Sequence, residues 1–186
     1  FYYGAEAAPG KHAYHEAGVY YMQEPSAMAP AAYLQASPGE RVLDLCAAPG
    51  GKTTQIAAQL RGEGLLVTNE IHPARARILS ENVERMGVRN ALVTNAAPAD
   101  LRGHFGMFFH RIMVDAPCSG EGMFRKQEMA ADEWSLENVR ICAARQDEIL
   151  EEAYAMLLPG GRMVYSTCTF APDENEGSIS RFLAIH

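Results

Sequence analysis

Arg41-Val42-Leu43-Asp44-Leu45, followed directly by Cys46-Ala47-Ala48-Pro49-Gly50-Gly51-Lys52-Thr53, is an apolar strand pattern that passes through a glycine-rich turn into a helix. Working outward from it, short apolar runs alternate with helical patterns, as expected of βαβ units that build a parallel sheet. The pattern predicts parallel strands over 41–45, 65–69, 91–94, 111–115 and 162–166. It predicts helices over 53–60, 73–86, about 136–158 and about 173–183, with Pro73 at a start and Gly87 and the Pro159-Gly160-Gly161 run at stops. The expected fold class is α/β: a doubly wound, mainly parallel, Rossmann-like sheet truncated after its last helix.

The 186 residues are 48% hydrophobic, enough for a single core. Residues 1–40 differ from the rest, holding six of the eight tyrosines with glycines and prolines between them, and read as a lid or hairpin before a core over 41–186. No apolar stretch is long enough for a transmembrane helix and the first residues lack a signal-peptide pattern, so a soluble, cytoplasmic protein is expected. Phe1 is not an initiator methionine and the last helical pattern barely finishes before His186, so the chain reads as a region of a longer protein with further domains. Sixteen basic against 23 acidic residues give a charge of −7, which argues against gripping nucleic acid by bulk electrostatics. Cys46, Cys118, Cys142 and Cys168 show neither zinc spacing nor the density of a disulfide scaffold and are expected to be free thiols. His12 and His15 lie close together but lack a completing ligand set, so no metal is expected.

The loop 46–53 sits where open α/β sheets bind ligands, because glycines let the backbone approach and the helix N-terminus presents free N–H groups. Gly51-Lys52-Thr53 with the later Val114-Asp115 also resembles a P-loop NTPase. That motif requires a glycine at the position held here by Cys46, whose side chain would obstruct a wrap around phosphates. Glu70 closes the second strand, 20 residues after Gly50, where an acid accepts the hydroxyls of an adenosine ribose.

The fourth strand ends in Asp115-Ala116-Pro117-Cys118-Ser119-Gly120-Glu121-Gly122, and the fifth runs into Ser166-Thr167-Cys168-Thr169. If these strands are neighbours, two thiols converge on one cleft; a thiol of ordinary pKa ~8.5 is already a few per cent thiolate near neutrality. Cys142 lies inside a helix and reads as packing. Met123-Phe124-Arg125-Lys126 places two cations beside an aromatic, a combination suited to a phosphate and a base.

With these motifs in view, the chain resembles the RNA cytosine-5 methyltransferases, the family of the bacterial 16S ribosomal RNA enzymes and the eukaryotic NOL/NOP2/Sun proteins. The resemblance runs from about residue 21 to 177 and rests on the motifs 44–53, 115–120 and 166–170, in the family's order and spacing. It implies a class I methyltransferase fold and S-adenosylmethionine as cofactor, held by Cys46, Ala47, Ala48, Pro49, Gly50, Gly51, Lys52, Glu70, Arg75 and Asp115. It implies Cys168 as the nucleophile, Cys118 as the cysteine that helps release the product, and Lys52 and Asp115 beside the reacting base. Where many relatives carry an aspartate for the adenine after the third strand, this chain reads Thr94-Asn95-Ala96-Ala97, and Asn95 is the substitute. The family's further strands and RNA-binding domains are absent from it. The segment 22–26 and the continuation 120–126 resemble the bacterial ribosomal branch, which implies 16S ribosomal RNA as partner, with transfer RNA as the alternative.

The resemblance also supplies a mechanism, because carbon 5 of cytosine is a weak nucleophile until a thiolate adds at carbon 6. The base must leave its stack to reach such a site, and Phe124 or the early tyrosines could stack on it. Two rivals make different demands: an NTPase binds magnesium nucleotide and no S-adenosylmethionine, and a non-catalytic RNA scaffold needs neither cysteine.

Overall fold

The computed structural model describes residues 3–124 and 134–186. Its five strands, β1 (Arg41–Asp44), β2 (Leu65–Asn69), β3 (Ala91–Thr94), β4 (Phe109–Asp115) and β5 (Leu157–Ser166), form one parallel sheet in the order β3-β2-β1-β4-β5. The order reverses between β1 and β4, so their C-terminal ends flank the crevice where such sheets bind ligands.

Side-chain alternation along the strands builds two cores. Val42, Leu66 and Met113 point to one face, where they meet Ala31 and Leu34 of α1 (Pro25–Leu34) and Ile56 and Leu60 of α2 (Gly51–Leu60). Leu43, Val67, Ile112 and Val114 point to the other, against Leu101 of α4 (Pro98–Phe105) and Ile149, Ala153 and Met156 of α5 (Leu136–Met156). With both faces covered, the strands must be apolar throughout, which is why they stand out in the sequence. Helix α3 (Pro73–Arg85) adds Leu79 and Val83 beneath the first loop, and α6 (Glu176–Ile185) closes the described chain. No helix among the described residues is long and apolar enough to cross a membrane.

The segment 1–40 departs from the expected lid or hairpin. Among its described residues there is no strand, and α1 is built into the core: Ala31 and Leu34 are fully buried. Two glutamines of α2 fasten it, Gln55 Nε2 donating to the Met28 carbonyl at 2.9 Å and Gln59 Nε2 to that of Ala31 at 3.1 Å. Pro30 inside α1 hid the helix in the sequence, since proline removes an intrahelical donor. Helix α4 is additional to the helices expected from the pattern, although Pro98 at its start and the pair Leu101 and Phe105, one turn apart on the core side, are its signals.

The fifth strand begins earlier than expected. Phe109 pairs with Leu157, and the register then shifts so that Arg111 pairs with Arg162, leaving Pro159-Gly160-Gly161 in the irregular part. From Arg162 to Ser166 pairing with β4 is regular and ends with Asp115 opposite Ser166.

Because Leu34 is buried among Val42, Ile56 and Met113, truncating it opens a cavity in the core. Leu34→Ala should lower unfolding stability by about 2–5 kcal/mol in a denaturant titration. A detachable lid would show almost no change.

Candidate active site

The first loop is held from below. Thr53 Oγ1, buried at the start of α2, donates to Asp44 Oδ2 at 2.7 Å and lies 2.9 Å from Thr68 Oγ1 on β2. Asp44 is fully buried, its Oδ1 has no hydrogen-bond partner among the described residues, and burial pushes its carboxyl up to about 7. Around the rim, Asn82 Nδ2 donates to the Pro49 carbonyl and Arg75 Nη2 to that of Ala48, both at 2.9 Å. Gly51 admits the N-terminal segment: a Cβ there would stand 2.6 Å from Gln23 Oε1 and 3.1 Å from the Tyr21 ring.

Glu70 lies past the end of β2 and is only 3% exposed. Its Oε1 accepts from the His72 N–H at 3.0 Å, and Arg75 Nη2 lies 3.4 Å from its Oε2. A carboxylate has about four acceptor positions, so two hydroxyls can still be accommodated. Asn95 Nδ2 donates to the carbonyls of Glu70 and Ile71 at 2.7 and 2.9 Å, which fixes the turn carrying the acid. Cys46, Ala47, Ala48, Pro49, Gly50, Glu70, Arg75 and Asn95 thus gather at the C-terminal edge of β1 and β2. The Cys46 side chain packs against the core, and burial pushes its thiol well above the ordinary range, so it is neutral.

A second group sits at the ends of β4 and β5. Lys52 Nζ reaches across from α2 to Asp115 Oδ2 at 2.7 Å, and Ser166 Oγ donates to Asp115 Oδ1 at 2.6 Å. Beyond them, Cys118 Sγ and Cys168 Sγ are 3.2 Å apart, and the Cys168 N–H points at Cys118 Sγ from 3.3 Å. Gly122 closes over this pair. Its N–H donates to the Cys168 carbonyl at 2.7 Å, and a Cβ on Gly122 would stand 2.6 Å from that oxygen.

The two thiols differ in charge. Cys168 is exposed, and its pKa is lowered to about 7, chiefly by the hydrogen bond from Cys118; Lys52 assists, while burial and the charge of Asp115 oppose. Cys118 is raised far above the ordinary range by the same hydrogen bond and by burial. The first proton to leave the pair therefore comes off Cys168, while Cys118 keeps its own. Cys142 is buried in α5, as its helical setting suggested.

Several participants carried no signal in the sequence. Ser166 is a strand-end serine until β5 is placed opposite Asp115. Glu174, in the acidic run 173–176, reads as a solvated helix start yet is fully buried beside Ser119. Of the aromatics singled out, Tyr20 and Tyr21 are half-buried within the N-terminal segment, with Tyr20 Oη donating to the Pro9 carbonyl at 2.7 Å. Phe124 is half-buried, and the basic pair Arg125 and Lys126 lies outside the described residues.

The fold is that of the Rossmann-like S-adenosylmethionine-dependent methyltransferases, shared even with an O-methyltransferase from Thermotoga maritima at 12% identity (TM-score 0.63, 89% of this chain and 51% of that one). Within that class the chain belongs to the family described as 16S rRNA methyltransferase RsmB/F, whose model matches residues 31–186. Ribosomal RNA small subunit methyltransferase F of Vibrio vulnificus YJ016 is 47% identical over 169 residues, covering 90% of this chain and 36% of that protein. The Escherichia coli O17:K52:H18 protein of the same name is 43% identical over 176 residues, covering 94% and 36%. The structure of NSun6 from Pyrococcus horikoshii with SFG superposes with a TM-score of 0.86 at 30% identity, over 95% of this chain and 45% of that one. The chain spans about a third of the length of these curated relatives.

The ionisation of Cys168 is directly measurable. Its alkylation by iodoacetamide, followed by peptide mass spectrometry, should rise with pH through about 7 and level off above, because only the thiolate reacts. In Cys118→Ala the midpoint should move up toward ~8.5, since the hydrogen bond that favours the thiolate is gone. An unmoved midpoint would remove Cys118 as the cause.

Proposed function

We propose that the protein containing this chain methylates carbon 5 of a cytosine in small-subunit ribosomal RNA, in the bacterial cytoplasm, using S-adenosylmethionine and a covalent bond from Cys168. The observation that carries this reading is the pair of thiols 3.2 Å apart at the end of β5, beside a lysine–aspartate pair and one strand away from the glycine-rich loop. Further support comes from the names of the relatives and from the Pyrococcus NSun6 structure with SFG, an S-adenosylmethionine analogue.

The donor set suits the cofactor. Glu70 offers a buried acid with spare acceptor positions for a ribose, Asn95 offers its carbonyl oxygen toward an adenine amine, and Cys46 to Lys52 shape the floor. When bound, S-adenosylmethionine supplies an electrophilic methyl group. The Cys168 thiolate adds to carbon 6 of the cytosine, forming a C–S bond and moving electron density to carbon 5. In this reading Lys52 and Asp115, paired at 2.7 Å, are the polar residues beside the reacting ring, where the lysine charge offsets the negative charge that the addition creates. After methyl transfer a base takes the proton from carbon 5 and passes it to solvent, the C–H electron pair re-forms the ring double bond, and the C–S bond breaks with Cys168 leaving as the thiolate. Cys118 then donates its S–H to the departing Cys168 thiolate, through the same contact that lowers the Cys168 pKa.

Two measurements test this. In calorimetry on the full-length protein, Glu70→Ala should weaken S-adenosylmethionine binding by at least about tenfold, because two hydrogen bonds to a charged acceptor at ~1.5–3 kcal/mol each are lost; unchanged affinity would remove Glu70 from the site. With the full-length enzyme and its RNA, Cys168→Ala should lose both methylation and any covalent complex, whereas Cys118→Ala should accumulate a protein–RNA adduct stable in denaturing electrophoresis. The reverse pattern would exchange the two roles.

A further inference from the structure

Glu174 is fully buried in the short turn Pro172–Glu174, six residues past the nucleophile, with no lysine or arginine paired to it among the described residues. Its carboxylate is met by neutral donors. Gln146 Nε2 donates to Oε2 at 2.7 Å, the Ser119 N–H donates to Oε2 at 3.0 Å and to Oε1 at 3.3 Å, and Ser119 Oγ donates to Oε1. A buried ion without a counter-charge is costly even when well hydrogen-bonded, and an apolar joint of the same shape would be cheaper for stability alone. Each donor leads to the thiols. Ser119 follows Cys118 directly, and its Oγ lies 2.9 Å from Oγ1 of Thr169, which follows Cys168 directly. Gln146 Nε2 also donates to the carbonyl of Pro117 at 2.9 Å, on the other side of Cys118. Tyr165 Oη holds the Glu174 carbonyl at 2.6 Å, and Glu121 accepts from Thr169 Oγ1 at 3.1 Å and from the Phe170 N–H at 2.6 Å.

We infer that Glu174 is a positioning residue that clamps the two cysteine-bearing loops together and thereby sets the Cys118–Cys168 distance on which attack and release depend. The inference deepens the function proposed above and rests on it for the reaction, but the spacing of the thiols can be read without RNA. Phenylarsine oxide condenses with two thiols, forming two As–S bonds and releasing one water, and binds tightly only where the sulfurs are held close.

The experiment uses the full-length protein, with Cys118→Ala as the reference for a broken pair. Glu174→Gln keeps the shape but removes the charge and turns an amide N–H₂ toward donors. It should weaken phenylarsine oxide binding about tenfold or more relative to wild type. It should lower kcat for RNA methylation about tenfold, with KM for RNA and affinity for S-adenosylmethionine within twofold, and raise the midpoint of Cys168 alkylation. Ser119→Ala removes one hydroxyl and keeps the backbone donor; it should shift the same readouts by a smaller factor, and it decides the matter if Glu174→Gln does not fold. A wild-type protein that does not methylate would refute the proposed function, while the arsenical affinities judge the clamp separately. Arsenical affinity and kcat within twofold of wild type in a folded Glu174→Gln protein, or in Ser119→Ala should that variant not fold, would overturn the inference.

Discussion

The contact between Lys52 Nζ and Asp115 Oδ2, at 2.7 Å, ties the glycine-rich loop directly to the thiol-bearing side of the site. Lys52 belongs to the first turn of α2 and therefore to the glycine-rich loop; Asp115 belongs to the end of β4 and therefore to the thiol-bearing side. The pair is partly shielded from solvent, with side-chain exposures of 13% and 35%, so its attraction is less screened than that of a surface pair. Ser166 occupies the second carboxylate oxygen, which leaves Asp115 little freedom to turn. Strand order does the rest. With β1 between β2 and β4, and β5 beyond β4, the glycine-rich loop and the two cysteines can meet over only one edge of the sheet.

That edge is where the charge of the site is divided. Asp44 sits under the loop in full burial, its carboxyl pushed up to about 7, and Cys46 is kept neutral by its surroundings, so near neutrality the loop floor carries less than the full charge of its acid. Negative charge is concentrated on Glu70 at one end and on Asp115 and Cys168 at the other. The two identical thiols become different groups because one is exposed beside Lys52 while the other is more buried and gives its hydrogen bond away.

The parts of this arrangement that could be read from the sequence are those whose chemistry is local. A strand buried on both faces is apolar wherever it occurs, and a loop that must turn tightly into a helix carries its glycines in order, so β1 to β4 and the segment 46–53 were legible. Residues whose meaning comes from a distant partner were not. Glu174 has the same appearance as any acid at a helix start until the fold brings it to Ser119, 55 positions away. Helix α1 was obscured for the opposite reason: Pro30 and the surrounding tyrosines are local signals of irregular chain, and burial of Ala31 and Leu34 outweighs them. The start of β5 was misplaced because Pro159-Gly160-Gly161 reads as a break, whereas the strand accommodates it by a shift in register.

The two close approaches made possible by missing side chains differ in what they allow over evolutionary time. At Gly51 the neighbours are the side chains of Gln23 and Tyr21, so a larger residue could be tolerated once position 23 had become smaller, and the two sites are free to drift as a pair. At Gly122 the obstacle is the main-chain carbonyl of Cys168, present whatever residue stands there. No second substitution can clear that path. Lineages that retain this conformation of the Cys168 loop are therefore confined to glycine at 122, while the opposite wall of the site remains open to paired change.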